Sequence, residues 1–268
     1  MFARIASAAV LIPLVLAIVF FAPRPLFLLA IGLVGTICLY EYLRLADNMG
    51  MPGIPWLGYG GFGFVLLAFE QAPAQRTVWL SALIPVAFIA ALCRRAPPDK
   101  RVASLLTSLL GILYLAFCLY PAVPLRFDLP GELGRAWLVI LLVTIWIGDT
   151  AALAVGRRFG RTPLSPVISP HKTREGAIGG LLGGTLAALL MQHLFLPALP
   201  WHHVLIGSLL AGAFGQLGDL AESMLKRAAG VKDSSSLIPG HGGVLDRIDS
   251  LLFSIPAMYV YLRWVYPA

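Results

Sequence analysis

The chain has 268 residues, of which 59% are hydrophobic and only 12% are charged, and its formal net charge is +7. Soluble domains carry about 25% charged residues, so the composition excludes a soluble protein and predicts a polytopic membrane protein. The apolar runs are continuous, which excludes a membrane β-barrel, and the cytoplasmic bias of Lys and Arg explains the positive charge better than nucleic-acid binding does.

The apolar segments predict an all-α fold with about nine transmembrane helices of ~17–25 residues each. They cover residues 5–22, 26–46, 55–70, 77–93, 103–121, 136–156, 177–196, 203–225 and 250–266. No internal repeat or low-complexity linker separates them, so we predict a single membrane domain over residues 1–268. Within it, residues 1–135 form helices without a recognised motif, and residues 136–268 hold the helices and loops that carry the chemistry.

The basic residues predict the orientation of the chain. With the N-terminus inside and nine spans, fifteen of the 20 Lys and Arg residues fall on the inner side. Because Lys and Arg collect on the cytoplasmic side, we expect the polar loops 157–176 and 226–249 in the cytoplasm. The protein is expected in the cell (inner) membrane.

Polar residues concentrate between positions 218 and 249. A helix through the start of this stretch places Asp219, Glu222, Ser223 and Lys226 on one face, at i, i+3, i+4 and i+7. Paired carboxylates beside lysines and glycine backbone suit a metal–polyphosphate site, and an all-oxygen ligand set suits magnesium. The two acids could instead form structural pairs with Lys226.

The end of the same stretch adds two acids and a glycine turn. Asp246 and Asp249 are three residues apart, so they point the same way once the next helix has started. His241, Gly242 and Gly243 either form a tight turn only or let phosphate approach the bare main chain.

Asp149 lies within an apolar segment, where a carboxylate costs several kcal/mol unless it is paired or hydrated. It is either a structural partner of Arg157 or of another helix, or a cation ligand or a charge that organises a site. We favour the functional interpretation, because ionisable groups inside a membrane segment mark sites. Glu41, Arg44 and Asp47 end the second apolar segment, and we interpret them as a helix-end charge cluster.

A proline-stiffened cytoplasmic turn covers residues 164–176 and presents Lys172, Thr173 and Arg174. Its Ser-Pro pairs and the N–H groups at the following helix entrance suggest an anion cradle, although the turn could be only a topology anchor. The glycines that follow, Gly179, Gly180, Gly183 and Gly184, favour close helix packing.

A long signature covers the polar stretch. It consists of Ser223-Met224-Leu225-Lys226-Arg227, Lys232-Asp233 and the run IPGHGGVLDRID that ends at Asp249. These residues resemble the signature of the phosphatidate cytidylyltransferases (CDP-diacylglycerol synthases). Asp149-Thr150 and residues 169–176 also resemble family motifs, whereas Leu153 stands where a tyrosine is expected. The similarity is strong over roughly residues 140–250 and rests on hydropathy alone in the N-terminal half.

The resemblance implies an enzyme that transfers the cytidylyl group of CTP to phosphatidate, giving CDP-diacylglycerol and pyrophosphate in phospholipid biosynthesis. It also implies Mg²⁺ as cofactor, with one or more divalent ions, a lipid environment and a homodimer.

Site roles follow from this resemblance together with the chemistry of the side chains. The expected metal ligands are Asp219, Asp246, Asp249, Glu222 and Asp149. The expected substrate-binding residues are Lys172, Ser223, Arg227, Lys232, His241, Gly242, Gly243 and Arg247. The expected catalytic residues are Asp219, Asp246, Lys226 and Asp249.

Two other functions suit the same features. A transporter of a phosphorylated or anionic solute also uses intramembrane acids and glycine-rich helices, but it releases no pyrophosphate from CTP. A CTP-dependent polyprenol kinase is a related enzyme. A CDP-alcohol phosphotransferase would need a run of aspartates after Asp-Gly, which is missing from the sequence.

Overall fold

The structure, a computed structural model, describes residues 2–238, 240 and 242–266, with side chains from Ala9 onward. These residues form ten α-helices and one two-stranded sheet. The helices are α1 (Phe2–Phe21), α2 (Arg24–Asn48), α3 (Pro55–Phe69), α4 (Pro73–Leu92), α5 (Pro98–Leu119), α6 (Ala122–Phe127), α7 (Leu133–Phe159), α8 (Arg174–Phe195), α9 (Trp201–Ala228) and α10 (Leu245–Val265). The strands are β1 (Pro163–Ser165) and β2 (Ser169–Thr173).

The fold is almost entirely α-helical, as the sequence predicts, and the hairpin β1–β2 is the exception. It lies within the predicted turn 164–176, where closely spaced prolines prevent a helix. The strands are antiparallel, with Pro163 opposite Thr173 and Ser165 opposite Ser169. The hairpin therefore leads directly into α8.

The protein is a membrane protein, but nine transmembrane helices are not confirmed. Each predicted apolar segment lies on a helix, and six helices of the described residues are long and apolar enough to cross a membrane: α2, α4, α5 continued through α6, α7, α8 and α9. The apolar parts of α1 and α3, Ala9–Phe21 and Pro55–Phe69, are shorter. Helix α10 carries charged residues near both ends, which lowers its hydropathy.

The chain forms two compact units. The first consists of Met1–Leu14, Pro25–Tyr120 and Leu225–Arg247. The second consists of Val15–Arg24, Pro121–Met224 and Ile248–Ala268. The single membrane domain over residues 1–268 stays a prediction.

Helices α2, α3 and α5 form the core of the first unit. Cys38 and Leu39 of α2 have no exposed surface. A Cβ on Gly111 of α5 would lie 2.7 Å from the ring of Tyr42, so the missing side chain lets α5 approach α2 closely. The Tyr42 hydroxyl donates to the Thr107 carbonyl at 3.2 Å. These contacts fix the end of α2.

Helices α7 and α8 of the second unit pack through glycine. A Cβ on Gly180 would lie 2.8 Å from the Ala152 Cβ and 2.9 Å from the Gly148 carbonyl oxygen. The glycines thus allow the close packing that the sequence predicts. The opposite face of α8 exposes large apolar side chains at every fourth position, as expected for contact with lipid. They are Ile178, Leu182, Leu186, Leu190 and Leu194.

Candidate active site

The hairpin places Lys172 at the entrance of α8. Thr173 is the N-cap of α8, and its Oγ1 accepts a hydrogen bond from the Gly176 amide at 3.1 Å. Glu175, in the first turn, accepts from the amides of residues 161–162 at 3.1 and 3.2 Å. A side-chain oxygen at the N-cap satisfies an amide that has no partner within the helix. The same bonds fasten the hairpin to α8.

A cavity of about 620 Å³ opens beside the hairpin in the second unit. Its size is within the ~300–1,000 Å³ range of small-molecule sites. Its charged and histidine lining residues are Asp149, Arg157, His171, Lys172 and Asp219. The Lys172 ammonium forms a close ion pair with the Asp219 carboxylate. The cavity therefore combines positive charge, suited to phosphates, with carboxylates.

Asp149 and Leu153 lie on α7 and both line this cavity. The aliphatic side chain of Leu153, where the family resemblance leads us to expect a tyrosine, is 54% exposed. It adds apolar surface to the cavity in place of a hydroxyl group.

Three acids of the second unit form a cluster that we call the acidic cluster: Asp219, Glu222 and Asp249. Each offers one oxygen, and the three oxygens lie within 4.8 Å of one another. Glu222 is fully buried, with 0% of its surface exposed. A Cβ on Gly218 would lie 2.5 Å from the Asp249 carbonyl oxygen, so this glycine lets α9 approach α10 closely.

This arrangement suits a hard divalent cation. Two oxygens bound to one Mg²⁺ lie at most about 4.2 Å apart, since each Mg–O distance is about 2.1 Å. Neighbouring oxygens on an octahedral Mg²⁺ lie about 3.0 Å apart, so side-chain rotations would have to bring the oxygens of the acidic cluster, which lie within 4.8 Å of one another, closer together. Asp149 and Asp246 do not belong to the acidic cluster of Asp219, Glu222 and Asp249.

Asp246 is the centre of a separate polar cluster in the first unit. Its Oδ1 lies 2.6 Å from the Lys226 ammonium. Its Oδ2 accepts from the Ser234 amide at 2.9 Å, the Ser234 hydroxyl at 2.8 Å and the Gly243 amide at 2.8 Å. Burial raises the pKa of the Asp246 carboxyl, but these hydrogen bonds outweigh burial and hold the pKa below its usual value. Asp246 is thus an ionised acceptor with four protein donors.

The glycine turn beside Asp246 is a structural requirement. Gly242 has φ of +79°, and its carbonyl accepts from the Ile238 amide at 2.8 Å. A Cβ on Gly242 would lie 2.8 Å from Asp246 Oδ2. The Gly243 amide already donates to Asp246, so its phosphate contact stays a prediction. His241 lies outside the described residues.

The remaining predicted substrate contacts are spread over the two units. Ser223 lies one turn after Asp219, with its hydroxyl 3.5 Å from Asp219 Oδ1. Arg227 donates to the Val231 carbonyl at 3.1 Å, while Lys232 and Arg247 are exposed. Their contacts with substrate stay predictions.

Glu41 belongs to the polar cluster around Asp246, which the sequence does not reveal. The sequence predicts only a helix-end charge cluster there, yet Glu41 is fully buried and contacts the segment that surrounds Asp246. The signal that could have identified it is a carboxylate inside the apolar segment 26–46, five residues before the segment ends.

Comparison with known proteins gives a consistent set of relatives. The cytidylyltransferase family model matches residues 2–265. The chain is 32% identical over 248 residues to the phosphatidate cytidylyltransferase of Bacillus subtilis, covering 88% of each chain. It is 33% identical over 227 residues to that of Staphylococcus aureus, covering 82% of each. The chain is 43% identical over 129 residues to the phosphatidate cytidylyltransferase of Staphylococcus epidermidis, and these residues are 48% of this chain and 50% of the relative.

Replacement of Lys226 by Met should destabilise the protein, because it leaves the Asp246 charge buried without its ion-pair partner. The two side chains are 11% and 4% exposed, so the cost should approach the ~3–5 kcal/mol of a broken buried pair. The double variant Lys226→Met/Asp246→Asn should recover part of the loss, since it removes both charges. Thermal unfolding in detergent measures the difference, with Lys232→Met as the control at an exposed lysine. A double variant less stable than Lys226→Met would contradict the buried pair.

Proposed function

The chain belongs to the cytidylyltransferase family, and we propose that it transfers the cytidylyl group of CTP to phosphatidate, giving CDP-diacylglycerol and pyrophosphate for phospholipid biosynthesis. The geometric observation that carries this proposal is the position of Asp219. It lines the cavity together with Lys172 and also belongs to the acidic cluster with Glu222 and Asp249. A phosphate-binding surface and a candidate cation site are thereby joined at one side chain.

The chemistry requires little proton transfer. The phosphate monoester of phosphatidate has a second pKa near ~6, by analogy with phosphorylated side chains, so its oxygen is largely ionised at neutral pH. This oxygen forms a bond to the α-phosphorus of CTP, and the bond from that phosphorus to the bridging oxygen breaks as pyrophosphate leaves with the electron pair. The protein must hold two polyanions in line against their repulsion, so catalysis is mainly positioning and charge neutralisation.

We assign the divalent cation, Mg²⁺, to Asp219, Glu222 and Asp249. When bound, it neutralises phosphate charge and stabilises the departing pyrophosphate. The proximity of Glu222 to Asp219 and Asp249 supports this assignment, because oxygens from neighbouring carboxylates can share one divalent cation. Asp149 lines the same cavity as Asp219 and would organise the site from α7. Asp246 orders Lys226 and the neighbouring turn, and its role as a metal ligand stays a prediction.

Lys172 would bind phosphate oxygens in the cavity. In the structure its ammonium pairs with Asp219, so compensation of the Asp219 charge by a cation would release Lys172 towards a phosphate. Arg157 and His171 line the same cavity and add donors. Their position beside the glycine-rich entrance of α8 suits an anion, since the helix N-terminus offers further N–H groups.

We further propose that the active site faces the cytoplasm, in a cell-membrane protein with nine spans and its N-terminus inside. In this orientation fifteen of the 20 Lys and Arg residues fall on the inner side, where such residues collect. The active site would then face the cytoplasm, which contains CTP. The homodimer stays a prediction.

Purified wild-type protein in lipid nanodiscs with Mg²⁺, CTP and phosphatidate should release pyrophosphate and form CDP-diacylglycerol in equal amounts. Enzyme-coupled detection of pyrophosphate and mass spectrometry of the lipid measure the two products. Omission of phosphatidate should stop both, since CTP then has no acceptor. A transporter would give neither product under any of these conditions, and pyrophosphate without the lipid product would indicate hydrolysis of CTP.

The substitution Asp249→Asn should weaken cation binding, because it removes one charged oxygen ligand. The affinity for Mn²⁺, used as a spectroscopic substitute for Mg²⁺, should fall at least about tenfold. Titration of the free Mn²⁺ signal by electron paramagnetic resonance measures this without substrate. The matched control is Asp99→Asn, at an exposed acid of α5, which should bind Mn²⁺ like the wild type. Equal Mn²⁺ affinities in the two variants would refute the assignment of the cation to the acidic cluster.

A further inference from the structure

Glu41, in the motif-free N-terminal half, binds the signature segment through an unusual number of hydrogen bonds. Its Oε1 accepts from the Ser235 hydroxyl at 2.5 Å and the Val244 amide at 3.0 Å. Its Oε2 accepts from the Leu245 amide at 2.6 Å and lies 3.2 Å from the Ser234 hydroxyl. These donors lie 193–204 positions further along the chain. One carboxylate therefore gathers both ends of the segment 234–245.

The position of Glu41 is electrostatically favourable. Leu245 is the first residue of α10, and the first amides of a helix have no acceptor within the helix. A carboxylate at this end accepts from those amides and meets the positive end of the helix dipole. Glu41 thus caps α10 from a different helix, α2.

The packing around Glu41 leaves no room for a side chain at Gly243. A Cβ on Gly243 would lie 2.5 Å from Glu41 Oε1 and would overlap the Ser234 hydroxyl. The glycine of the signature is therefore required at this position by the carboxylate that faces it.

Ser234 links Glu41 to Asp246. Its hydroxyl lies 3.2 Å from Glu41 Oε2 and 2.8 Å from Asp246 Oδ2, and its single proton can serve one of them at a time. Its amide donates to Asp246 as well. Asp246 in turn holds the Lys226 ammonium at 2.6 Å. A displacement of the segment 234–245 would therefore move the groups that orient Lys226.

We propose that Glu41 is a positioning residue for cytidylyl transfer: it fixes residues 234–235 and 244–245 and, through Asp246, the ammonium of Lys226, an expected catalytic residue of the signature. This inference rests on the proposed function. It gives the N-terminal half of the chain a defined part in the reaction.

The decisive variant is Glu41→Gln, which keeps the size of the side chain. Glutamine offers one carbonyl oxygen, and its NH₂ group would face donors instead of accepting from them, so about half of the four contacts are lost. Displacements of about 1 Å at a reacting centre cost about a hundredfold in rate, so kcat per folded protein should fall about ten- to hundredfold. The KM for CTP should stay within about twofold, as expected for an interaction that acts in the transition state.

Hydrogen exchange supplies the second readout. The amides of residues 243–245 should exchange faster in Glu41→Gln than in the wild type, because their acceptors, the carboxylates of Glu41 and Asp246, are altered or displaced. The control is Asp47→Asn, which removes an exposed carboxylate from the same helix and should change neither exchange nor kcat.

Each outcome has a separate meaning. An inactive wild-type protein would refute the proposed function itself. If the wild type is active and folded Glu41→Gln keeps the wild-type kcat, or loses only folded protein, Glu41 is merely structural and the inference is wrong. If Glu41→Gln does not fold, Ser235→Ala is compared with Ser236→Ala, which alters an exposed serine. Ser235→Ala should lower kcat several-fold, and equal kcat in the two serine variants would overturn the inference.

Discussion

Compensation of buried negative charge is the constraint on which the polar part of this structure depends. In a chain with only 12% charged residues, a carboxylate inside the fold must be met by a cation or by N–H and O–H donors. Asp246 is met by Lys226 and the turn 234–243, and Glu41 by the same turn and the start of α10. The turn is therefore shaped by the two acids that it surrounds.

The same constraint gives the second unit its chemistry. Asp219 and Lys172 neutralise each other at the cavity, while Glu222 and Asp249 bring two further negative charges close to Asp219. Three clustered carboxylates repel one another, and this repulsion is the reason for the divalent cation that we propose. In the proposed mechanism, contacts with Mg²⁺ and phosphate would replace these internal charge pairs. Positioning of polyanions, the main requirement of cytidylyl transfer, then follows from charges that the fold already holds.

Much of the fold and part of the site could be predicted from the sequence, for local reasons. Continuous apolar runs predict the helices, and the spacing of Asp219 and Glu222 places them together on α9, because both depend on residues that are near in sequence. The hairpin at residues 163–173 could not be predicted from helical periodicity. Glu41 could not be assigned either, since its partners lie about two hundred residues away and only the tertiary structure brings them together.

The fate of the individual phosphates of CTP tests the account most directly. Purified protein is given Mg²⁺, phosphatidate and CTP labelled with ³²P at either the α or the γ position, and the lipid and aqueous phases are then counted. Cytidylyl transfer predicts that the α label enters the lipid and the γ label leaves as pyrophosphate. Entry of the γ label into the lipid, as a kinase would give, or absence of both labels from the lipid, as a transporter would give, would contradict it.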